Sequence, residues 1–577
     1  MPFLLRGKVQ LEGMSADARA VVIWLDDDRR IYLGTVRQAR ILRLTPRADH
    51  DDPVAMASDT PWIPGAATGV THSRVGHNAV LNFLGLAVPL ALAFFIMPIA
   101  ARHLGPARFG LLGLAWAVTE YLTLFDLGLG RALVKFVADA LEHNSSDLGE
   151  IVSLSMAAQL LAGIVGGLLF ALAAPLLVSR VFRIAPELAV EAKSVFQVVG
   201  VSVPVVLLIS GQRAVLEGAQ RFDLSAILKM LSSIAALTIP AVGAVIGASL
   251  PSILLVVLVS RVVMCFAFAL AIRRALPDLK WVRSKDWQVL RRVLSFGGWV
   301  LVSNTVNPLL VYFDRFALGT IVGLAAVGFY TAPYEGVTRI LLVPVSLLGS
   351  LLPALTAIEA RGDRTRFAEL AASSQRILMT VMAVPLAVIL VFAPQILNGW
   401  LGAQYALQSA TALRILAAGV FANALATTFF VMLYAKGRPD LPAKFHLMEL
   451  VVHIPLTIFL IRRFGVAGAA GAWTTRVTLD MCLLLWAAAR TSRRPVLQIA
   501  GGRVGNAALA LLLLLGGLAV SRYLSALSAW VCVAVALLTI AIFAMAGWAS
   551  ILAEAERASI RATLRSYLKP LDRTRVA

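Results

Sequence analysis

The sequence predicts an all-α polytopic membrane protein of about 14 transmembrane helices, built as two six-helix pseudo-symmetric lobes plus two C-terminal helices. Three observations carry that expectation. Hydrophobic residues make up 59% of the 577 residues and charged residues 15%, where a soluble chain would carry about a quarter charged. From Asn78 onward, apolar runs near the ~20 residues that span a hydrocarbon core follow one another. An internal repeat at a shift near 215 residues divides those runs into two copies.

Residues 1–77 stand apart. They hold a charged segment, Trp24 to Arg30 (WLDDDRR), and a loop-like stretch from Asp49 to Gly69, without an apolar core and cleavage site. Residues 31–43 read as a strand or a short helix. The region is expected to be a small or poorly ordered extension with no assigned function, and Met56 is an alternative start to Met1.

Spans are expected at about 78–101, 110–130, 151–178, 195–216, 224–247, 250–272, 293–318, 325–357, 373–397, 408–434, 443–461, 467–489, 504–521 and 527–551. Pro89, Pro98, Pro204, Pro240, Pro308, Pro344, Pro385 and Pro455 lie inside them, as membrane helices tolerate. With the N-terminus in the cytoplasm, 29 of the 52 Lys and Arg residues fall in the inner loops and C-terminal tail and 8 in the outer loops. That bias places both termini inside. The organisation that follows is a first lobe over 78–272, a basic connector over 273–292, a second lobe over 293–490, and two helices with a basic tail over 491–577. The connector, Arg273 to Arg292 (RRALPDLKWVRSKDWQVLRR), carries Trp281 and Trp287 and suits a helix lying on the inner membrane surface.

Composition also excludes function classes. The net charge of +20 sits in short loops between apolar runs, a topological pattern that favours anionic lipid surfaces over nucleic acid. Cys265, Cys482 and Cys532 sit in apolar runs without ligand spacing, so no disulfide or metal chemistry is expected. No Walker A lysine motif or nucleotide fingerprint is present, and no cofactor is expected.

The repeat is read from collinear matches. Arg221-Phe222-Asp223-Leu224 returns as Arg438-Pro439-Asp440-Leu441, and Ser260-Arg261-Val262 as Thr475-Arg476-Val477. Val80 to Phe83 matches Val293 to Phe296, and the same shift carries Arg102 onto Arg315. Equivalent spans are an even number apart, so the copies share one orientation, and parallel repeats of this kind place a substrate site between the halves.

A charge at mid-bilayer costs about 2.5–3.5 kcal/mol and is a functional candidate by default. Arg261 lies near the middle of its span with no acid within four positions, so it needs a partner helix, water or an anionic ligand. A guanidinium fork suits a lipid diphosphate. Arg102, Arg315, Arg339 and Arg476 join it as candidate anion-binding residues. Against that, Arg339 with Glu335 and Arg476 with Asp480 are each four residues apart and read equally well as structural pairs. Arg414, near an outer span end, reads as a snorkelling residue. Glu120, Asp126, Glu335, Glu449 and Asp480 are candidates for ion or proton coupling, and Asp126 also reads as a helix-end cap or a partner for Arg131 or another helix. His446 and His453 lie seven apart without a ligand set and read as packing or cavity-lining residues.

Two motifs then carry a resemblance. Arg102 to Leu111 (RHLGPARFGL), followed by Asp126-Leu127-Gly128-Leu129-Gly130, resembles the opening of the polysaccharide biosynthesis flippases of the multidrug/oligosaccharidyl-lipid/polysaccharide exporter superfamily. Val327 to Tyr330 and Arg463 to Ala472 agree, so the resemblance covers about 78–495. It implies a bacterial inner-membrane transporter, not an enzyme, that moves an undecaprenyl-diphosphate-linked oligosaccharide outward by alternating access. A polysaccharide polymerase and glycosyltransferases would be its partners. Fourteen helices also resemble the lipid II flippases of the same superfamily, the second reading. A cation-coupled multidrug antiporter is the third, and it would need an acid-dominated cavity.

Overall fold

The computed structural model describes residues 22–25, 31–35, 38–42, 72–279, 282, 291 and 310–561, apart from 127, 144, 146, 526, 527, 555, 559 and 560. The chain divides into two units, Met1–Val70 and Thr71–Ala577.

In the first unit the described residues form an antiparallel sheet of three strands: β1 Val22–Leu25, β2 Ile31–Thr35 and β3 Gln38–Leu42. Tyr32 faces Trp24 in register on one side and Ile41 on the other. The all-α expectation therefore holds for the membrane unit and gives way to a β-meander before it in the chain.

The second unit is helical. Its first half contains α1 His72–Leu122, α2 Leu129–Glu142, α3 Leu148–Leu176, α4 Pro186–Gly218, α5 Phe222–Val245 and α6 Leu250–Ala275. Its second half contains α7 (helical over 310–321), α8 Leu324–Thr338, α9 Leu342–Ala360, α10 Arg364–Trp400, α11 Ala403–Ala435 and α12 Asp440–Ser492. A short α13 Val496–Ile499 leads to α14 Val504–Leu524 and α15 Ala529–Ala546. Ten described helices are long and apolar enough to cross a bilayer. That count falls below the expected fourteen partly because α12 merges the spans expected at 443–461 and 467–489. The span expected at 293–318 begins outside the described residues, as does most of the 273–292 connector, with its Trp281 and Trp287.

At 53 residues α12 would be about 80 Å long if straight, more than two bilayer cores. It bends at Gly465, whose φ of 55° and ψ of −125° leave the helical region. The 51-residue α1 breaks likewise at Gly105, with φ 71° and ψ 166°. Both breaks fall between expected spans.

The repeat is visible in side-chain geometry. Before α5, Arg221 forks onto Asp223, with Nε–Oδ1 and Nη2–Oδ2 both 3.1 Å. Before α12, Arg438 forks onto Asp440 at 2.9 and 3.1 Å. The left-handed residues Gln220 and Gly437 precede the two forks.

The halves meet where α1 crosses α8. Gly110 and Gly328 bring the two backbones together there, and Phe109, Leu324, Val327 and Tyr330 are buried around them. Close by, Arg102 Nη2 donates to the Gly399 carbonyl, Trp400 Nε1 donates to the Phe94 carbonyl at 2.8 Å, and the Phe94 and Trp400 rings stack at 5.3 Å. The Arg183 N–H donates to the Gly319 carbonyl at 2.9 Å. The core continues through both halves from this end.

Candidate anion-binding cavity

The first half encloses a cavity of about 510 Å³, within the range of ligand sites, adjoining a smaller one of about 160 Å³. Helical spacing explains which residues line them. On α6, Leu254, Val257, Arg261 and Phe268 fall three, four and seven residues apart, one stripe of the helix. On α4 the stripe runs Ser202, Val206, Ile209, Arg213 and Glu217, and on α5 it is Lys229, Ser232 and Ser233. The second arm of α1 contributes Thr119 and Glu120, and α2 contributes Arg131.

Arg261 lines both cavities. Its Nη1 donates to Ser202 Oγ at 3.2 Å, and among the described residues it makes no ion pair. Glu120 lines the same two cavities. On its own helix Arg261 has no acid within four positions. Sequence reasoning missed Arg131, Arg213 and Lys229, because they lie near span ends and were counted as loop charges. The signal was there: Lys229 stands four residues before Ser233, and Arg213 three after Ser210 and four before Glu217, on polar stripes of otherwise apolar helices.

Asp126 sits at the break between α1 and α2, where a short 3₁₀ turn, Thr123–Asp126, gives way to left-handed Gly128. Its Oδ2 accepts the Gly130 N–H at 2.9 Å, and its Oδ1 accepts from Gln159 Nε2. Gln159 is fully buried. This is the helix-end cap, closing the first turn of the helix that carries Arg131.

The second half is charged differently: its intramembrane cations are satisfied internally. Arg315 is 2% exposed, pairs with Glu335 at 2.7 Å, and lies over the Tyr334 and Tyr312 rings at 4.7 and 5.0 Å. Glu335 also pairs with Arg339 at 3.2 Å, so one carboxylate bridges two guanidiniums. Asp314 accepts the Tyr330 hydroxyl and, at 2.7 Å, the Arg315 N–H. Arg414 donates to the Leu390 carbonyl at 3.0 Å. The expected i,i+4 pair of Arg476 with Asp480 is replaced. Arg476 instead meets Glu449 at 3.5 Å, and Asp480 approaches His446 at 3.9 Å, because the Gly465 bend lays one arm of α12 against the other. Of the five arginines proposed from sequence, only Arg261 lines the cavity. Arg102 lies at the α1–α10 contact, and Arg315, Arg339 and Arg476 are ion-paired in the second half.

Comparison with known proteins agrees with this architecture. The family model described as "Polysaccharide biosynthesis protein" matches residues 75–359. A Shigella flexneri protein named "Putative O-antigen transporter" is 30% identical over 411 residues, covering 71% of this chain and 96% of that protein. Among solved structures, an inward-facing multidrug resistance MATE family transporter of the MOP superfamily superposes with a TM-score of 0.61 at 15% identity, covering 71% of this chain and 98% of its own. The lipid II flippase MurJ in an inward closed conformation gives a TM-score of 0.61 at 14% identity, covering 81% and 98%. At these identities the structural likeness speaks for the fold.

Proposed function

We propose that this chain, which belongs to the polysaccharide biosynthesis protein family, is a flippase for an undecaprenyl-diphosphate-linked oligosaccharide of the bacterial cell surface. One observation carries the reading: Arg261, without an ion pair among the described residues, faces a cavity in the first half, whereas Arg315, Arg339 and Arg476 of the second half are tied to carboxylates and Arg414 to a carbonyl. Arg261 would take the diphosphate by a bidentate fork, with Arg131, Arg213 and Lys229 drawing it in from the mouth. Ser202, Ser232 and Ser233 offer hydroxyls for the flanking sugars.

The charge bias supports placing that mouth in the cytoplasm, and the Gly110–Gly328 crossing with Arg102 and Trp400 on the outer side. The chain would then stand closed outward, with its cation cluster reached from within. Substrate would enter from the inner leaflet, where glycosyltransferases build it, and leave toward a polymerase outside.

Arg261→Ala tests this in a strain lacking the native gene. The expected result is loss of surface polysaccharide with normal membrane insertion and normal growth. Unimpaired polysaccharide would overturn the role of Arg261. Arrest of cell-wall growth in the null strain would instead favour a peptidoglycan precursor as substrate.

A further inference from the structure

The bend at Gly465 brings together three residues that no sequence window would group. His446 and Glu449 lie three apart on the first arm of α12, hence on one face, and Asp480 faces them from the second arm. Each offers one ligand atom, and these atoms all lie within 4.8 Å of one another. Neither carboxylate is fully satisfied. Glu449 Oε1 and Asp480 Oδ1 are buried without a hydrogen-bond partner, and the Glu449 side chain is 0% exposed. A buried acceptor left without a partner is costly, and a charged one more so. The arrangement thus leaves open acceptors beside an imidazole nitrogen.

We infer that His446, Glu449 and Asp480 form a binding site for a single divalent transition-class cation of the zinc type. The donor set decides the class. Sodium, magnesium and calcium prefer all-oxygen shells, whereas one imidazole with two carboxylates suits zinc and its neighbours. Three protein ligands leave a fourth position for water. The outer shell is also in place, since Arg476 reaches Glu449 Oε2 at 3.5 Å and leaves Oε1 free. Bound there, the ion would pin the two arms of α12 to each other. This site lies in the second half, apart from the cavity, and stands whatever that cavity carries.

The test uses the purified full-length chain, freed of any histidine tag and stripped with chelator, titrated with zinc chloride against a fluorescent zinc indicator. The expected result is one zinc per chain, with affinity falling at least tenfold in His446→Gln, Glu449→Gln and Asp480→Asn. Zinc should also raise the thermal midpoint of the parent protein and not of the variants. His446 is the most exposed of the three ligands, with 34% of its side chain accessible, so its variant serves if a carboxylate variant fails to fold. Substoichiometric binding by the parent protein, or equal binding by the variants, would overturn the proposal. So would stabilisation by sodium alone.

Discussion

Gly110 and Gly328 stand back to back at the crossing of α1 and α8. A Cβ on Gly110 would lie 1.9 Å from the Leu324 carbonyl oxygen, and one on Gly328 would lie 2.1 Å from the Pro106 carbonyl oxygen. The two glycines are equivalent in the repeat as well, each five residues after a glycine of positive φ, Gly105 or Gly323. Main chain meets main chain at this point, so no rotamer change can make room.

Gly110→Ala and Gly328→Ala should therefore each destabilise this closed crossing by at least ~1–3 kcal/mol, the ordinary cost of overpacking. The expected readouts are a lower thermal midpoint in detergent and weaker complementation of surface polysaccharide. Gly349→Ala is the control, because nothing lies within 4 Å of its Cβ position. An unchanged midpoint in both crossing variants would contradict this packing.

Trp400→Phe keeps an aromatic ring on Phe94 but removes the indole donor to the Phe94 carbonyl. Arg102→Ala removes the second bond to the same region. Each should increase labelling of a cysteine placed at Thr331, which is 1% exposed beside Gly113, by a membrane-impermeant thiol reagent in a cysteine-free background. The double variant should label most.

Glu120 shares both cavities with Arg261 and competes with an anionic ligand for it. Glu120→Gln should tighten binding of undecaprenyl diphosphate several-fold by removing like charge, measured by intrinsic fluorescence or native mass spectrometry. Transport should not rise in parallel, because a ligand held more tightly leaves more slowly.

Asp126 separates two roles by its amide. As a cap, Asp126→Asn keeps an oxygen for the Gly130 N–H, whereas Asp126→Ala loses about 0.5–2 kcal/mol. The expected order of thermal midpoints and of activity is Asp, Asn, Ala. An asparagine variant as inactive as alanine at full stability would point instead to a titrating carboxylate.

Past the last span, Glu556 accepts from Arg376, with Nε–Oε1 at 3.0 Å, and Arg376 also donates to the Gly501 carbonyl at 2.8 Å. Burial pushes the Glu556 carboxyl up, but hydrogen bonds from Arg376, the Ala553 N–H and Ser373 outweigh it and hold the group below the usual carboxylate range. A depressed carboxylate stabilises the fold at pH above its unfolded value, about 4.3, and that contribution is lost as pH falls through the folded value. The midpoint difference between the parent and Glu556→Gln should hold steady from pH 7 to about 5 and shrink below about 4.

The fold class was legible because bilayer spanning leaves a one-dimensional record: apolar runs, charge bias and the repeat all survive in sequence. Of the residues that line the cavity, sequence names Arg261, Glu120 and Asp126, and Arg261 stands out because its isolation on its own helix is a local property. Arg476 shows the limit. Its sequence neighbour Asp480 is four residues away, yet its partner is Glu449, 27 residues back, and only the Gly465 bend makes them adjacent. Arg315 is taken by Glu335, 20 residues on, which sequence spacing assigns to Arg339 alone. Window-based reading finds unpaired charges and cannot see the hairpins that pair them.

Among the described residues, three bonds join the halves at the glycine crossing, from Arg102, Trp400 and the Arg183 N–H, and all end on backbone carbonyls. No carboxylate receives any of them. Such a fastening has nothing to titrate over the physiological range and no anion for added salt to screen, so it should hold equally in acid or saline surroundings. It also places the whole burden of inheritance on the donor side. Residue 399, with nothing within 4 Å of its Cβ position, can drift in side chain without loosening it, whereas 102 and 400 cannot.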